Sequence, residues 1–203
     1  LGIGSYASAF TGAQTLMQYA YNEAGSGTFP TTCTSGTTGT GTGTFPFNVS
    51  ANVQPRCTLG ATSDLNFGSV PGLIASNVDT PSTISMTCIN NTAWQVGLDN
   101  GQHASGAARR MMMGGNFVNY ELYRDAGHTL RWGNTLNTDT RTGTGTGIAQ
   151  ALTVYGRVAP QSAVPATGYT DKITVTGTYC ALPSSVVCAA RATGAAVPPS
   201  PPS

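Results

Sequence analysis

The stretch GIAQALTVYGRVAP, residues 147 to 160, carries an apolar side chain at alternate positions along most of its length. Leu152, Val154 and Val158 fall on one face of an extended chain, with Thr153 and Arg157 on the other. A two-residue repeat is typical of a β-strand with one buried face, because a helix would repeat every 3.6 residues. This stretch therefore predicts a strand that borders an apolar core.

The same alternation recurs in segments on both sides of this strand. These segments are STISMTC (82–88), AWQVGLD (93–99), NFVNYELYRD (116–125) and YTDKITVTGTY (169–179). The turn-forming triplets between strands are DNG (99–101), DAG (125–127) and ATG (166–168). With SDLNFGSV (63–70) and FPFNVSANVQPRC (45–57), we count about seven strands in roughly 130 residues, the size of an immunoglobulin-like domain. The sequence predicts an all-β, immunoglobulin-like sandwich.

The first of these strands raises the question of which core it joins. FPFNVSANVQPRC places five apolar residues at alternate positions: Phe45, Phe47, Val49, Ala51 and Val53. This apolar face could pack against the core of this chain or against the core of another chain.

Composition divides the chain into four parts. GSYASAFTGAQTLMQYAY (4–21) loosely repeats TGYTDKITVTGTY (167–179), so we expect residues 1–33 to be the C-terminal remnant of a preceding β domain. A short helix over residues 11–25 is the weaker alternative. Gly- and Thr-rich residues 34–44 predict a flexible linker, residues 45–179 the sandwich, and residues 180–203 a Pro-rich tail outside the sheet.

Charge and hydropathy exclude several partners. Charged residues make up 8% of the 203 residues, Lys172 is the single lysine, and the net charge is +1, so there is no basic surface for nucleic acid. There is no run of 18 apolar residues that would predict a membrane span. No residue pattern predicts a metal or a cofactor.

Five cysteines without zinc-site spacing favour disulfides and an oxidising compartment. Cys57 and Cys88 lie at the ends of two predicted strands and could join them; two buried free thiols are the alternative. Cys180 and Cys188 form a second candidate pair, which would leave Cys33 to bond with a missing N-terminal part.

Candidate catalytic residues are sparse. His103 and His128 lie in turn-like segments with no nucleophile motif nearby, so we expect no enzyme active site. The glycines of TGTGTGIAQ (142–150) precede a strand, which favours a hairpin loop over a phosphate-binding loop. ARRMMMGG (108–115) is either an adhesive methionine surface or a strand and turn with one or two buried methionines.

Taken together, several segments resemble the spore coat protein U domain, the pilin domain of archaic chaperone-usher pili. In order, they are FNVSANVQPRC, LNFGSV, ISMTC, WQVGLDNG, ARRMM, VNYELYRDA, RWGN, LTVYGRVAP and TGYTDKITVTGTY, within residues 45–179. The order of YELYRD, VYGRV and GYTDKITVT is the most specific part of the resemblance.

The resemblance implies an incomplete pilin-type fold that lacks one strand of the sandwich. A periplasmic chaperone would first occupy the resulting groove, and the N-terminal strand of a neighbouring pilus subunit would then fill it by donor-strand complementation. It also implies an outer-membrane usher, and a path from the periplasm to a secreted cell-surface fibre. Cys57 and Cys88 match the family disulfide.

The groove walls are expected on the first and last strands of the domain. The candidate residues are Val49, Ala51 and Val53 on one side and Ile173, Val175 and Tyr179 on the other. A β segment and a linker ahead of the domain resemble the tip subunits of such pili, which implies adhesion to a host or abiotic surface and biofilm formation. The alternative is a self-contained secreted carbohydrate-binding β-sandwich, which would need a row of exposed aromatic residues or a metal-binding loop on one face.

Overall fold

A computed structural model describes residues 1–22, 29–32, 34, 39–69, 72–164, 168–181 and 190–197. The chain forms two units: Gly4–Val53 is one, and Leu1–Ile3 with Gln54–Ser203 is the other. In the described ranges the regular structure is entirely β-strand, which confirms the predicted all-β class. Consistent with this, the described residues include no long apolar helix that could cross a bilayer.

Strands are numbered in chain order. They are β1 (Gly4–Phe10), β2 (Leu16–Tyr21), β3 (Gly39–Thr44), β4 (Phe47–Val53), β5 (Cys57–Thr62), β6 (Leu73–Ile74), β7 (Val78–Cys88), β8 (Thr92–Leu98), β9 (Arg109–Met113), β10 (Asn116–Tyr123), β11 (Arg141–Thr144), β12 (Ala149–Val158), β13 (Gln161–Ser162), β14 (Ile173–Ala181) and β15 (Ala190–Val197).

The larger unit is a sandwich of two sheets. One sheet has the order β5-β7-β12-β10-β9 and the other has the order β11-β8-β14-β15. Strand β12 pairs antiparallel with β7 along its whole length, and Leu152 lies opposite Ile84. Directly opposite residues share a face of the sheet, so the alternating apolar residues of both strands enter the same core.

The core lies between these two sheets. Ile84, Val96 and Leu98 are at most 2% exposed, and Trp132 is fully buried. The indole Nε1 of Trp132 donates a hydrogen bond to the carbonyl oxygen of Val96 at 2.8 Å, which satisfies the one polar atom of this large side chain. The apolar alternation read from the sequence is therefore the pattern of core residues.

A disulfide joins the first two strands of the sandwich. Cys57 and Cys88 lie directly opposite each other in the β5–β7 ladder, and their sulfurs are bonded. The predicted pair is confirmed. It ties β5 to a fully buried position at the end of β7.

A buried arginine holds one end of the sandwich. Arg109, at the start of β9, is fully buried, and its Nη2 donates to the carbonyl oxygens of Leu98, Asp99 and Trp132 at 2.7 to 2.9 Å. It also forms an ion pair with Glu121. Burial lowers the pKa of the Arg109 guanidinium, and the Glu121 carboxylate opposes this shift. One side chain therefore connects three chain segments.

The neighbouring methionines follow strand alternation. Met111 is buried and Met113 is 40% exposed, as expected for a strand and turn with partly buried methionines. Arg110 lies between Arg109 and Met111 in the sequence. Its guanidinium stacks 4.0 Å from the centre of the Phe117 ring.

Two of the predicted turns are seen in detail. The Asp99 carboxylate accepts a hydrogen bond from the Gly101 amide, and Gly101 has a positive φ of 84°, which glycine tolerates. The Asp125 carboxylate accepts hydrogen bonds from the amides of Thr129 and Leu130. Residues 166 and 167 of the third triplet lie outside the described residues.

The smaller unit consists of two antiparallel ladders, β1 with β4 and β2 with β3. Residues 39–44, which the sequence predicts to be a linker, form β3 instead. Gly41 lies under the ring of Tyr19, where a Cβ would collide with the ring. Alternating glycines thus admit tyrosine rings across the ladder, and this gives strand structure to a composition that is typical of linkers.

Two further segments differ from the sequence prediction. Residues 63–69 of SDLNFGSV are irregular, not a strand. Residues 190–197 of the predicted tail form β15, which pairs with β14. None of residues 190–197 is a proline, so no proline prevents this pairing.

Replacing both cysteines of the disulfide, Cys57→Ala with Cys88→Ala, should lower the free energy of unfolding by about 3 kcal/mol, because the cross-link no longer restricts the unfolded chain. Urea unfolding of both proteins measures the difference. A change below about 0.5 kcal/mol would show that the cross-link does not stabilise the fold.

Arg109→Met should lower the free energy of unfolding by about 3 to 5 kcal/mol, since it takes the guanidinium donor away from three carbonyl oxygens and leaves the partly buried Glu121 with Arg131 as its cationic partner. Arg110→Met is the matched control and should cost about 1 kcal/mol or less. Equal losses for the two variants in the same urea titration would contradict the assigned role of Arg109.

Candidate functional site

The sandwich has a distinctive edge where its last core strand meets its first. Strand β14 pairs with β8 on one side and with β15 on the other, and β5 is the edge strand of the opposite sheet. Both β14 and β15 contact β5. We use the name acceptor groove for the edge between β14 and β5 together with the apolar core cavity that β14 borders; residues of β7, β12 and β14, and none of β5, are among those that line this cavity.

The cavity of the acceptor groove has a volume of about 50 Å³. Its lining includes Ile173 and Val175 of β14, Ile84 of β7 and Val154 of β12. The lining is mainly apolar, so the cavity is a gap in the hydrophobic core and is suited to an apolar side chain.

Three predicted wall residues lie on β14. Ile173 and Val175 are 8% and 2% exposed and line the cavity, and Tyr179 is partly buried against the core. The last strand of the predicted domain therefore supplies one wall of the groove.

The other three predicted wall residues lie in the smaller unit. Val49, Ala51 and Val53 belong to β4, where they pair with Ser8, Tyr6 and Gly4 of β1 in register order. In the larger unit, β5, the edge strand of the opposite sheet, contacts β14. One edge of β4 pairs with β1, and these two strands form a two-stranded sheet.

Sequence reasoning missed Leu65 and Phe67 as groove residues. Both line the cavity from the irregular segment after β5. A Cβ at Gly156 would lie 2.7 Å from the Leu65 methyl carbons and 3.1 Å from the Phe67 ring, so glycine is needed at this point of β12. Leu65 and Phe67 stand at alternate positions of SDLNFGSV, which suggests a shared apolar face. This alternation does not predict that the face lies over Gly156.

A buried polar pair closes one end of the groove. The Tyr120 hydroxyl donates a hydrogen bond to the Asp171 Oδ2 at 2.6 Å, and both residues line the cavity. Burial raises the pKa of Tyr120, and the Asp171 carboxylate raises it further. The phenol therefore stays protonated and serves as a donor, which holds the segment before β14 against β10.

The histidines and tryptophans occupy structural positions. The His128 ring packs edge-on against Tyr123 and Tyr155, and its Nε2 lies 3.7 Å from the Asp79 carboxylate. Trp94 and Trp132 are buried, so neither contributes to an exposed aromatic row that could bind sugar rings. Within the described ranges, no group of three His, Cys, Asp or Glu residues could hold a metal ion.

The second predicted disulfide remains a prediction. Cys180 lies in β14 opposite Ala93 of β8, and Cys188 lies outside the described residues, as does Cys33.

Comparisons with known proteins bear on residues 43–176, which match the model of the Spore Coat Protein U domain. No curated protein matches the sequence. A solved chaperone–tip adhesion subunit pre-assembly complex from archaic chaperone-usher Csu pili of Acinetobacter baumannii matches 68% of the chain at 24% identity, with a TM-score of 0.47. The match spans 43% of the solved chain.

A second solved structure, of enteroaggregative Escherichia coli AAF fimbriae, matches 70% of the chain and 98% of its own length, at 15% identity and a TM-score of 0.36. The family match covers β4 to the centre of β14 and includes both disulfide cysteines, Ile173 and Val175. The chain belongs to the Spore Coat Protein U domain family.

Proposed function

We propose that this protein is a non-enzymatic structural subunit of an archaic chaperone-usher pilus. It passes through the periplasm with a chaperone, is exported by an outer-membrane usher and becomes part of a secreted surface fibre. The observation that carries the proposal is the acceptor groove, because the β14 edge that β15 covers here, with the unfilled apolar cavity beside it, suits pairing with a strand from another subunit.

The mechanism is donor-strand complementation. A donor strand from a neighbouring subunit hydrogen-bonds to the outer edge of β14, and its alternate side chains enter the core above Val175 and Ile173. The backbone contacts give affinity, and the side chains set the register. Whenever the outer edge of β14 is open, a strand edge beside an apolar core promotes aggregation, and a chaperone would prevent this.

We place the protein at the fibre tip. A β unit, Gly4–Val53, precedes the sandwich in the chain, where a simple fibre subunit would carry a short donor strand. This unit exposes aromatic and aliphatic side chains: Tyr6, Leu16, Met17, Tyr19, Tyr21, Phe45, Phe47 and Val49 are each more than 40% exposed. A tip position serves adhesion to a host or abiotic surface and supports biofilm formation.

A synthetic peptide with the sequence of residues 45–54 is a suitable donor probe, since it alternates Phe, Val and Ala and already forms an antiparallel strand in β4. Refolding the protein from urea with this peptide should stabilise it by about 2.7 kcal/mol at 100 times the Kd. The melting temperature measures this effect. The control peptide carries Phe47→Ser and Val49→Ser and should stabilise far less.

The same peptide with a benzophenone group identifies where it binds. Cross-links to β14 and β5, mapped by mass spectrometry, support the acceptor groove. Cross-links confined to β1, or equal melting temperatures with both peptides, would contradict donor-strand complementation in this protein.

A further inference from the structure

The outer edge of β14 is occupied by the chain itself. Strand β15 runs antiparallel to β14, from Ala190 opposite Tyr179 to Val197 opposite Ile173. It also contacts β5. It therefore lies in the acceptor groove, at the position that a donor strand from another subunit would take.

The β15 residues that pair with the core-side positions of β14 are mostly small. The core-side positions of β14 are Ile173, Val175, Gly177 and Tyr179, and the register places Val197, Gly194, Ala192 and Ala190 opposite them. Three of these four β15 residues are alanine or glycine, which carry at most one methyl group each and so have little apolar area to offer. By contrast, the alternating set of residues 47–53 is Phe, Val, Ala and Val.

Two further observations agree with an imperfect fit. The β14–β15 ladder shifts register between Ile173 and Val175. The same two residues line the 50 Å³ cavity, so the core beneath them remains unfilled while β15 is in place.

Tethering explains how a poorly fitting strand can hold the site. Only residues 182–189 separate β14 from β15. A short connection gives the tethered strand an effective concentration in the millimolar range. A strand from another molecule must then exceed this advantage through better side-chain packing.

We propose that β15 is an internal, displaceable occupant of the acceptor groove, and that a donor strand with larger apolar side chains replaces it during assembly. This inference rests on the proposed function of the groove. It adds a step to that function: the protein protects its own β14 edge, and uptake of a donor requires release of β15.

Uptake of the fluorescein-labelled 45–54 peptide under native conditions tests this inference in three proteins. These are the full chain, a chain that ends at Val197 and a chain that ends at Ala181. The chain that ends at Ala181 should take up peptide at least tenfold faster than the other two. The chain that ends at Val197 keeps β15 and should match the full chain within about twofold.

Equal uptake rates in all three proteins would overturn the inference and leave the proposed function intact. Absence of peptide uptake in every protein, including after refolding with the peptide, would instead overturn the proposed function.

A second variant serves if the chain that ends at Ala181 does not fold. In the full chain, Ala192→Val adds two methyl groups at the position opposite Gly177. Peptide uptake should slow about tenfold, since burial of two carbon groups strengthens β15 by roughly that factor. The control, Ala192→Ser, enlarges the side chain at the same position by one polar atom and should not slow uptake. Unchanged uptake in both variants would overturn the inference.

Discussion

The structure depends on one constraint, the need to satisfy the backbone hydrogen bonds on the outer edge of β14. This strand carries core residues, yet β8 covers only one of its edges. Amide and carbonyl groups next to an apolar core are costly when they lack partners. In this protein β15 supplies the partners, and in a fibre a neighbouring subunit would supply them. The disulfide ties β5, which contacts β14, to its own sheet, and the cavity is lined in part by β14 residues.

The two ends of the groove are held in different ways. At one end the Cys57–Cys88 bond fixes the start of β5 to β7, so this end of β5 cannot separate from its sheet. At the other end the Tyr120–Asp171 hydrogen bond positions the residues that lead into β14. The buried Arg109 links the same end of β8 to β9 and to the Trp132 segment. These contacts hold both ends of the β14 edge, where we propose that strand exchange takes place.

Much of this fold could be predicted from alternation. The strands β7, β12 and β14 bury the residues that the two-residue repeat selects, and the disulfide joins the predicted cysteines. Two kinds of feature left no such signal. Strands β3 and β15 are held by backbone pairing in Gly-, Thr- and Ala-rich sequence, where side-chain hydrophobicity does not alternate. Partner choice was also hidden, since β4 alternates correctly for any core yet pairs with β1.

The burial of Arg109 was equally hard to predict, because Arg109 and Arg110 are adjacent in ARRMM and only the phase of the strand decides which of them is buried.

For the central claim, the most direct measurement is a crystal structure of the protein refolded with the 45–54 peptide. The account predicts the peptide antiparallel to β14 and next to β5, with residues 190–197 displaced. A peptide bound along β9 or β11, the other outer strands of the two sheets, with β15 still in place, would contradict it.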